Sequence, residues 1–428
     1  MMGRFPIAVV VAVSCVSCAR FHSQPLNASG RATALINRRL GEKTWTLEAL
    51  TERALANSPD VAVARAQYQA ARAAVKTAAE RPNPTAALTP QVVTPYTKWI
   101  TGTYGVDFDW TFETAGKRGR RIDVAREQVR AAAARVIDAT WKVRGAVRRA
   151  MLEMYAAERK AALVEEAAKK QADVVGLMVG RVKAGAASAM ETTQPRLLAG
   201  QLRLQGSDAA RTLALARASL AEALTMSTNG VVGARFSFAA FERVPGRQGL
   251  HRRAALTHRA DVLAALADYA AAETALRLEI AKQYPDIHLN PGYQLDAGEN
   301  KWALGIGLTL PILNQNKGPI AEAEAKRKES AAKFDTVQAK VLADCDRAAA
   351  RVAAARAKLA TTDEMLAEQA GQIESFQRIL AAGEGDRIAL VSAEVELATT
   401  RISRLDALIE LQAALAAMEE ATQTPLEP

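Results

Sequence analysis

A mainly α-helical protein with a small β part, built as two tandem repeats of long antiparallel helical hairpins plus β-hairpins, is the fold class this sequence predicts. Three observations predict it. A motif returns at one fixed offset, two very long stretches (Arg120 to Lys183 and Ala321 to Ala382) hold no proline, and four segments alternate apolar with small or polar residues. With 49% hydrophobic, 24% charged and 5% aromatic residues over 428 positions, the composition is that of a folded, helix-rich chain. The net charge of +10 raises nucleic acid as a partner, but the basic residues are interleaved with Glu and Asp along helical faces, so no nucleic acid is expected.

At the N-terminus, Arg4 precedes the apolar run Phe5 to Val13, and Ser14-Cys15-Val16-Ser17-Cys18 follows. A basic residue, a short apolar run and small residues make an export signal too short to anchor as a spanning helix. We read 1–17 as a signal peptide of the lipoprotein type, with Cys18 acylated as the first mature residue; Cys15 has a comparable context. Only Cys345 would then remain as a thiol, and no internal disulfide can form. After the signal no stretch of about 18 apolar residues occurs, so membrane residence would require strands.

A linker, 18–43, leads to the first repeat, 44–235, and the second occupies 236–428. The repeat is read from Ala54-Leu55-Ala56-Asn57-Ser58-Pro59-Asp60-Val61, which returns as Ala255-Leu256-Thr257-His258-Arg259-Ala260-Asp261-Val262. Tyr68 pairs with Tyr269, Pro84 with Pro285, Leu88 with Leu289 and Pro90 with Pro291; after a short indel, Thr111 falls on Thr309 and Gly185 on Gly383. The boundary fits the Gly-, Pro- and Phe-containing stretch between Ser227 and Gly246, where helical pattern lapses.

Each repeat opens with a helix, Pro59 to Glu80 and Asp261 to Gln283, stopped before a proline. Two strands follow. From Thr103 to Phe112 every even position is apolar and every odd one small or polar, and Trp302, Leu304, Ile306, Leu308 and Leu310 repeat the pattern. Their partners are Ala86, Leu88 and Val92 in one repeat, and Ile287, Leu289, Pro291, Tyr293 and Leu295 in the other. The hairpin tips fall at Thr94 to Thr101 and Asp296 to Asn300. Next comes a rod of about 95 Å, at 1.5 Å per residue. It ends at a glycine turn, Gly185 or Gly383 with Gly385, and a return helix completes the hairpin.

Such strands suit a barrel with lipid outside and water inside, although a half-buried sheet in a soluble domain has the same alternation. Nothing else in the sequence offers a core for the apolar faces. Four strands cannot close, so several chains must share one barrel, and three copies would give twelve strands. A soluble coiled-coil bundle would explain the rods and leave the strands unexplained.

The tandem order, the opening Asn57-Ser58-Pro59-Asp60, the strand end Leu308-Thr309-Leu310-Pro311-Ile312 and the Gly-centred turns resemble the TolC-like outer-membrane efflux proteins over nearly the whole mature chain. That resemblance implies a homotrimer: a trimeric 12-stranded β-barrel in the outer membrane, continued by an α-helical periplasmic barrel. Arg81-Pro82-Asn83-Pro84 and the stretch from Glu113 to Arg121 are similar to the CzcC-type branch, which serves heavy-metal pumps of the RND class; Ala115 stands where that branch usually has glycine. The expected function is the outer-membrane channel of a tripartite efflux system, a passive duct for solutes delivered by an inner-membrane RND-type pump and a periplasmic adaptor, with heavy-metal cations as the favoured cargo. Drug efflux, type I protein secretion and a periplasmic coiled-coil scaffold are the alternatives.

The resemblance also implies where the parts lie. Glu191 occupies the family's acidic aperture position, one turn into the return helix; the second repeat has Ala389 and Ser392 there, leaving Glu384 and Asp386 in the turn as substitutes. The turns with Gly185, Ser188, Gly383 and Gly385 would meet the adaptor. Asp107, Asp109, Asp286 and Asp296 are expected to line the barrel lumen as a cation-tolerant surface, with His288 among them. Lys117, Arg118, Arg120 and Arg121 would sit where the strands leave the membrane, suited to lipid phosphates or carboxylates. The four histidines lie in separate segments, and no nucleotide loop, nucleophile elbow or zinc-protease motif occurs, so neither a metal site, a cofactor nor catalysis is expected.

Overall fold

The computed structural model describes residues 19–93, 101–246, 252–296 and 298–425; Cys18, the expected signal peptide and most of the expected first hairpin tip lie outside them. Within the linker a helix, α1 (Ala28–Ile36), is capped by Asn27 and buries no residue. Beyond it the chain ties down where Leu40 N–H donates to the Gly230 carbonyl at 2.8 Å, and a short parallel pair forms between β1 (Thr44–Trp45) and β4 (Arg235–Phe236).

Helices α2 (Leu47–Asn57) and α3 (Pro59–Ala79) meet at Ser58, whose hydroxyl caps the second helix by accepting from Val61 N–H while Pro59 takes the first-turn position, where its missing N–H costs nothing. Strands β2 (Thr85–Val93) and β3 (Thr101–Phe112) lead into α4 (Lys117–Lys183), and α5 (Thr193–Ala223) returns. After α6 (Ala239–Glu242) and α7 (Arg252–His258) the sequence of parts repeats: α8 (Ala260–Ala281), β5 (Ile287–Asp296), β6 (Glu299–Leu308), α9 (Lys317–Ala381) and α10 (Arg387–Thr422). Both rods start a few residues earlier than the proline-free pattern suggested, and β6 ends at Leu308, short of the alternation that runs to Leu310. At 67 residues α4 extends about 100 Å.

Rod α4 packs along α5, α8, α10 and α3, and α9 packs along α8 and α10. Alanine fills many of the contacts, as Ala131, Ala150, Ala167, Ala355, Ala398 and Ala407 do, which lets long helices run close together. One core gathers Leu50, Val61, Val147, Met151, Leu220 and Phe241 around the middle of the first rod. A second joins Val341, Cys345, Leu408, Leu411 and Leu415 of the other rod and its return helix. Neither core reaches the sheet.

The four long strands form one antiparallel sheet in the order β2-β3-β5-β6. Its middle pair joins the repeats, with Tyr104 opposite Leu295 and Trp110 opposite Leu289. β2 and β6 each have one partner among the described residues, so both sheet edges are open.

Candidate functional site

Because side chains alternate along a strand and the register pairs like with like, the sheet sorts into two chemically opposite faces. Leu88 lies opposite Val106, Val106 opposite Tyr293, and Tyr293 opposite Trp302, so one apolar level crosses all four strands. This face is bare: Trp302 is 81% exposed, and Tyr104, Trp110, Phe112, Leu304 and Ile306 are exposed as well. Aromatics gather toward both ends, Tyr293 with Trp302 (ring centroids 4.8 Å) and Trp110 with Phe112 (6.5 Å).

On the opposite face the polar side chains tie to one another. Thr89 Oγ1 donates to Asp107 at 3.2 Å, Asp109 lies 3.1 Å from His288 Nδ1, and Thr111 Oγ1 is 3.3 Å from the same nitrogen. Farther along, Asp296 accepts from Thr103 at 2.9 Å and from Lys301 at 2.7 Å. The face is also built low. A Cβ placed on Gly105 would strike Thr89, and one on Gly292 would come within 2.5 Å of Asp107, so both side chains lie across glycines rather than standing out from the sheet.

Asp286 sits elsewhere. It lies one residue before β5, and its carboxylate accepts from Lys117 Nζ at 2.7 Å and Thr114 N–H at 2.9 Å, while the same ammonium donates to the Tyr284 carbonyl at 2.6 Å. Burial works against this carboxylate's charge, but Lys117 and the Thr114 N–H prevail and hold its pKa below the ordinary range. Of the four acids that sequence reasoning assigned to the lumen, this one is committed to a lock between the repeats. The neighbouring cations also find partners within the chain: Arg121 forks onto Glu113, and Arg118 Nε donates to the Ala79 carbonyl at 2.7 Å. Lys117 and Asp286 are 169 positions apart, which no local pattern reveals.

At the far end of the rods, Gly185 (φ +70°) and Gly383 (φ +82°) turn the chain in the left-handed region, where a Cβ is strained. Gly385 packs against Leu380 so closely that a Cβ would stand 2.8 Å from its Cα. Ser188 and Glu191 form a reciprocal capping box, with Ser188 N–H donating to Glu191 Oε1 at 2.8 Å. Asp386 caps α10 through Ile388 N–H and reaches Arg181 of the first rod at 3.3 Å. The two turns are therefore joined by an ion pair, a link that sequence reasoning missed; Glu384 is exposed beside it.

Among the described residues no group of three or more His, Cys, Asp or Glu is placed to hold a metal ion, and no helix is long and apolar enough to cross a membrane. What the geometry offers is a surface along which solute can pass: a low polar sheet face above two long helical hairpins, backed by an exposed apolar face. That combination defines the class of channel subunits in which a membrane sheet tops a helical conduit.

The sequence model of the outer membrane efflux protein family matches residues 50–225 and 252–423, and the chain belongs to that family, whose members reside in the outer membrane. It is 23% identical over 280 residues to the cobalt-zinc-cadmium resistance protein CzcC of Cupriavidus metallidurans, an alignment spanning 65% of this chain and 66%, just under two thirds, of that protein. Among solved structures, CusC superposes with a TM-score of 0.73 at 17% identity, covering 88% of this chain and 91% of CusC. The outer-membrane channel OprN gives 0.72 at 16% identity, covering 95% and 99%. VceC of Vibrio cholerae gives 0.70 at 20%, covering 88% and 95%. These likenesses bear on the fold.

Proposed function

We propose that this outer-membrane efflux protein works as a passive trimeric duct that passes cations, heavy-metal ions foremost, out of the envelope in company with a periplasmic adaptor and an inner-membrane RND-type pump. The observation that carries the reading is the sheet: one bare apolar face, one low polar face and two open edges. Open edges this long invite pairing with another chain. Closed membrane barrels need about eight strands or more, and three copies supply twelve in the number the family resemblance implies. The heavy-metal cargo rests on the CzcC relative and on the acidic character of the polar face.

In this assembly Asp107, Asp109 and Asp296 line the lumen, with Asp286 bracing its periplasmic rim. Glu191, Glu384 and Asp386 surround the periplasmic aperture, and the turns at Gly185, Ser188, Gly383 and Gly385 seat the adaptor. The two repeats, 44–235 and 236–428, contribute one β-hairpin and one helical hairpin each. Cys18 carries the lipid anchor; the intact mass of the mature protein tests this, since Cys18→Ser should lose the acyl increment, and an unchanged mass would discard the anchor.

The decisive experiment is conductance. Detergent-extracted protein should run as a heat-resistant trimer and conduct cations across a planar bilayer. Asp107→Asn with Asp109→Asn should reduce the cation preference of the reversal potential by severalfold, as removing charge from a pore lining does. A protein that dissolves without detergent as a monomer would end the proposal.

A further inference from the structure

The two strand-to-helix connections do unlike things, although the repeats otherwise match. Each ends in two consecutive left-handed residues, Ala115-Gly116 in the first and Gln315-Asn316 in the second. The first connection, 113–116, is polar and held by Glu113, Thr114 and the Lys117–Asp286 lock. The second, 309–316, is four residues longer, and its outer part is Leu310-Pro311-Ile312-Leu313. These side chains are bare: Leu310 is 63% exposed, Ile312 74% and Leu313 97%.

Exposure here is not looseness. Asn316 Nδ2 donates to the Glu279 carbonyl at 2.7 Å and to its Oε2 at 3.1 Å, and Gln283 Nε2 donates to the Gln315 carbonyl at 3.0 Å, which fastens the base of the loop to the end of α8. At the front, Ile312 N–H donates to the Leu310 carbonyl at 2.9 Å in a tight turn about Pro311. The loop is braced at its base, and its apolar tip is held outward.

We infer that Leu310-Pro311-Ile312-Leu313 is a wedge that enters the periplasmic leaflet of the outer membrane and sets how deeply the barrel sits. The inference rests on the duct reading above. Leu310 follows Trp302, Leu304, Ile306 and Leu308 at the strand spacing just past the end of β6, and the exposed Ile312 and Leu313 come next in the turn, so the wedge adjoins the face that meets lipid. Height argues the same way. On β6 the apolar face from Trp302 to Leu308 covers roughly 20 Å along the strand and about 15 Å across the membrane after tilting, against an apolar band of about 25 Å. The missing 10 Å or so is the height the wedge can supply.

A second copy is the poorer occupant. In a closed barrel β6 neighbours the next copy's β2, which is entered by the stretch Glu80-Arg81-Pro82-Asn83-Pro84-Thr85, without one large apolar side chain. Lipid acyl chains fit this tip and that polar stretch does not.

Nitroxide labels test this in the full-length protein in phosphatidylethanolamine and phosphatidylglycerol vesicles, with Cys345→Ala as background and the unsubstituted background measured to subtract label on other cysteines. Leu313→Cys carries the test label, Ile306→Cys marks the outer sheet face and Asn290→Cys the polar face. The expected result is a ratio of oxygen to nickel-complex collisions at Leu313→Cys close to that at Ile306→Cys and severalfold above that at Asn290→Cys. Preferred collision with the nickel complex, or shielding from both quenchers against protein, overturns the wedge while Ile306→Cys still reports lipid. Water access at Ile306→Cys overturns the duct reading, and the wedge with it.

Discussion

Glu419 and Glu420 are neighbours with opposite energetics. Glu419 is 4% exposed and accepts from Arg144 Nε at 2.8 Å and Arg148 Nη1 at 2.9 Å, whereas Glu420 pairs with Arg149 at an open surface. Arg148 is itself largely buried, its pKa is lowered by desolvation, and its Nε has no partner among the described residues, so it depends on Glu419. Glu419→Gln should therefore cost about 3 kcal/mol, the scale of breaking a buried pair, and Glu420→Gln under about 1 kcal/mol. Thermal unfolding of the two variants side by side checks the contrast. The Lys117–Asp286 lock makes a pH prediction. A carboxylate whose folded pKa is depressed adds stability that is present above its unfolded pKa, about 3.9, and is lost as pH falls through the lower folded value. The wild type should keep this contribution at neutral pH and shed it only below about pH 4, while Asp286→Asn lacks it throughout; equal acid sensitivity of the two would remove the lock from the account.

At the scale of elements, an ion-pair ladder runs between α4 and α10: Lys160–Asp406, Arg401–Glu166, Lys170–Glu394 and Arg181–Asp386 step along the helices in opposite directions. Three rungs are exposed and weak by themselves and Lys170–Glu394 is half-buried, but together they favour one register over a slip of a turn. The turns below them are the fragile points. Gly185→Ala and Gly383→Ala each force an alanine into the left-handed region at a cost of about 1–2 kcal/mol. Faster hydrogen exchange confined to the last turns near Lys183 and Ala381 should follow, with the sheet amides unchanged. Which parts of these elements were legible in the sequence follows from their physics. Strands and rods announce themselves through period-two and proline-free helical patterns, repeated twice, and the glycine turns through backbone need. Residue pairs brought together by the fold leave no such trace: Asp286 reads as one more acid on a polar strand until Lys117 arrives from the other repeat, and Glu191 reads as an aperture charge while its carboxylate also caps its own turn. The longer connection at 309–316 is hidden because Leu310 extends the strand alternation, so the end of β6 cannot be told from its continuation.

In the proposed duct the sheet is divided between two solvents, and neighbouring positions on one strand expose that division most sharply. Ala303 and Leu304 are adjacent on β6, opposite Gly292 and Pro291. Leu304 is exposed on the apolar face, so Leu304→Lys places an ammonium among acyl chains and should cost about 1–2 kcal/mol, between the interface and midplane values, with fewer heat-resistant trimers recovered in the outer-membrane fraction. Ala303→Lys points the same ammonium the other way. Its level crosses Gly292 to Asp107, which already lies over that glycine, so the new cation and the Asp107 carboxylate come within reach of one another across a position that has no side chain. Assembly should survive, because a wet lumen solvates the charge, while the cation preference of the bilayer reversal potential should fall at least as far as in Asp107→Asn, since one substitution both adds a positive charge and neutralises a negative one. A shift of one residue thus separates an insertion defect from a selectivity change. If the two lysine variants fail alike, or insert and conduct alike, the assignment of lipid to one face and water to the other is wrong.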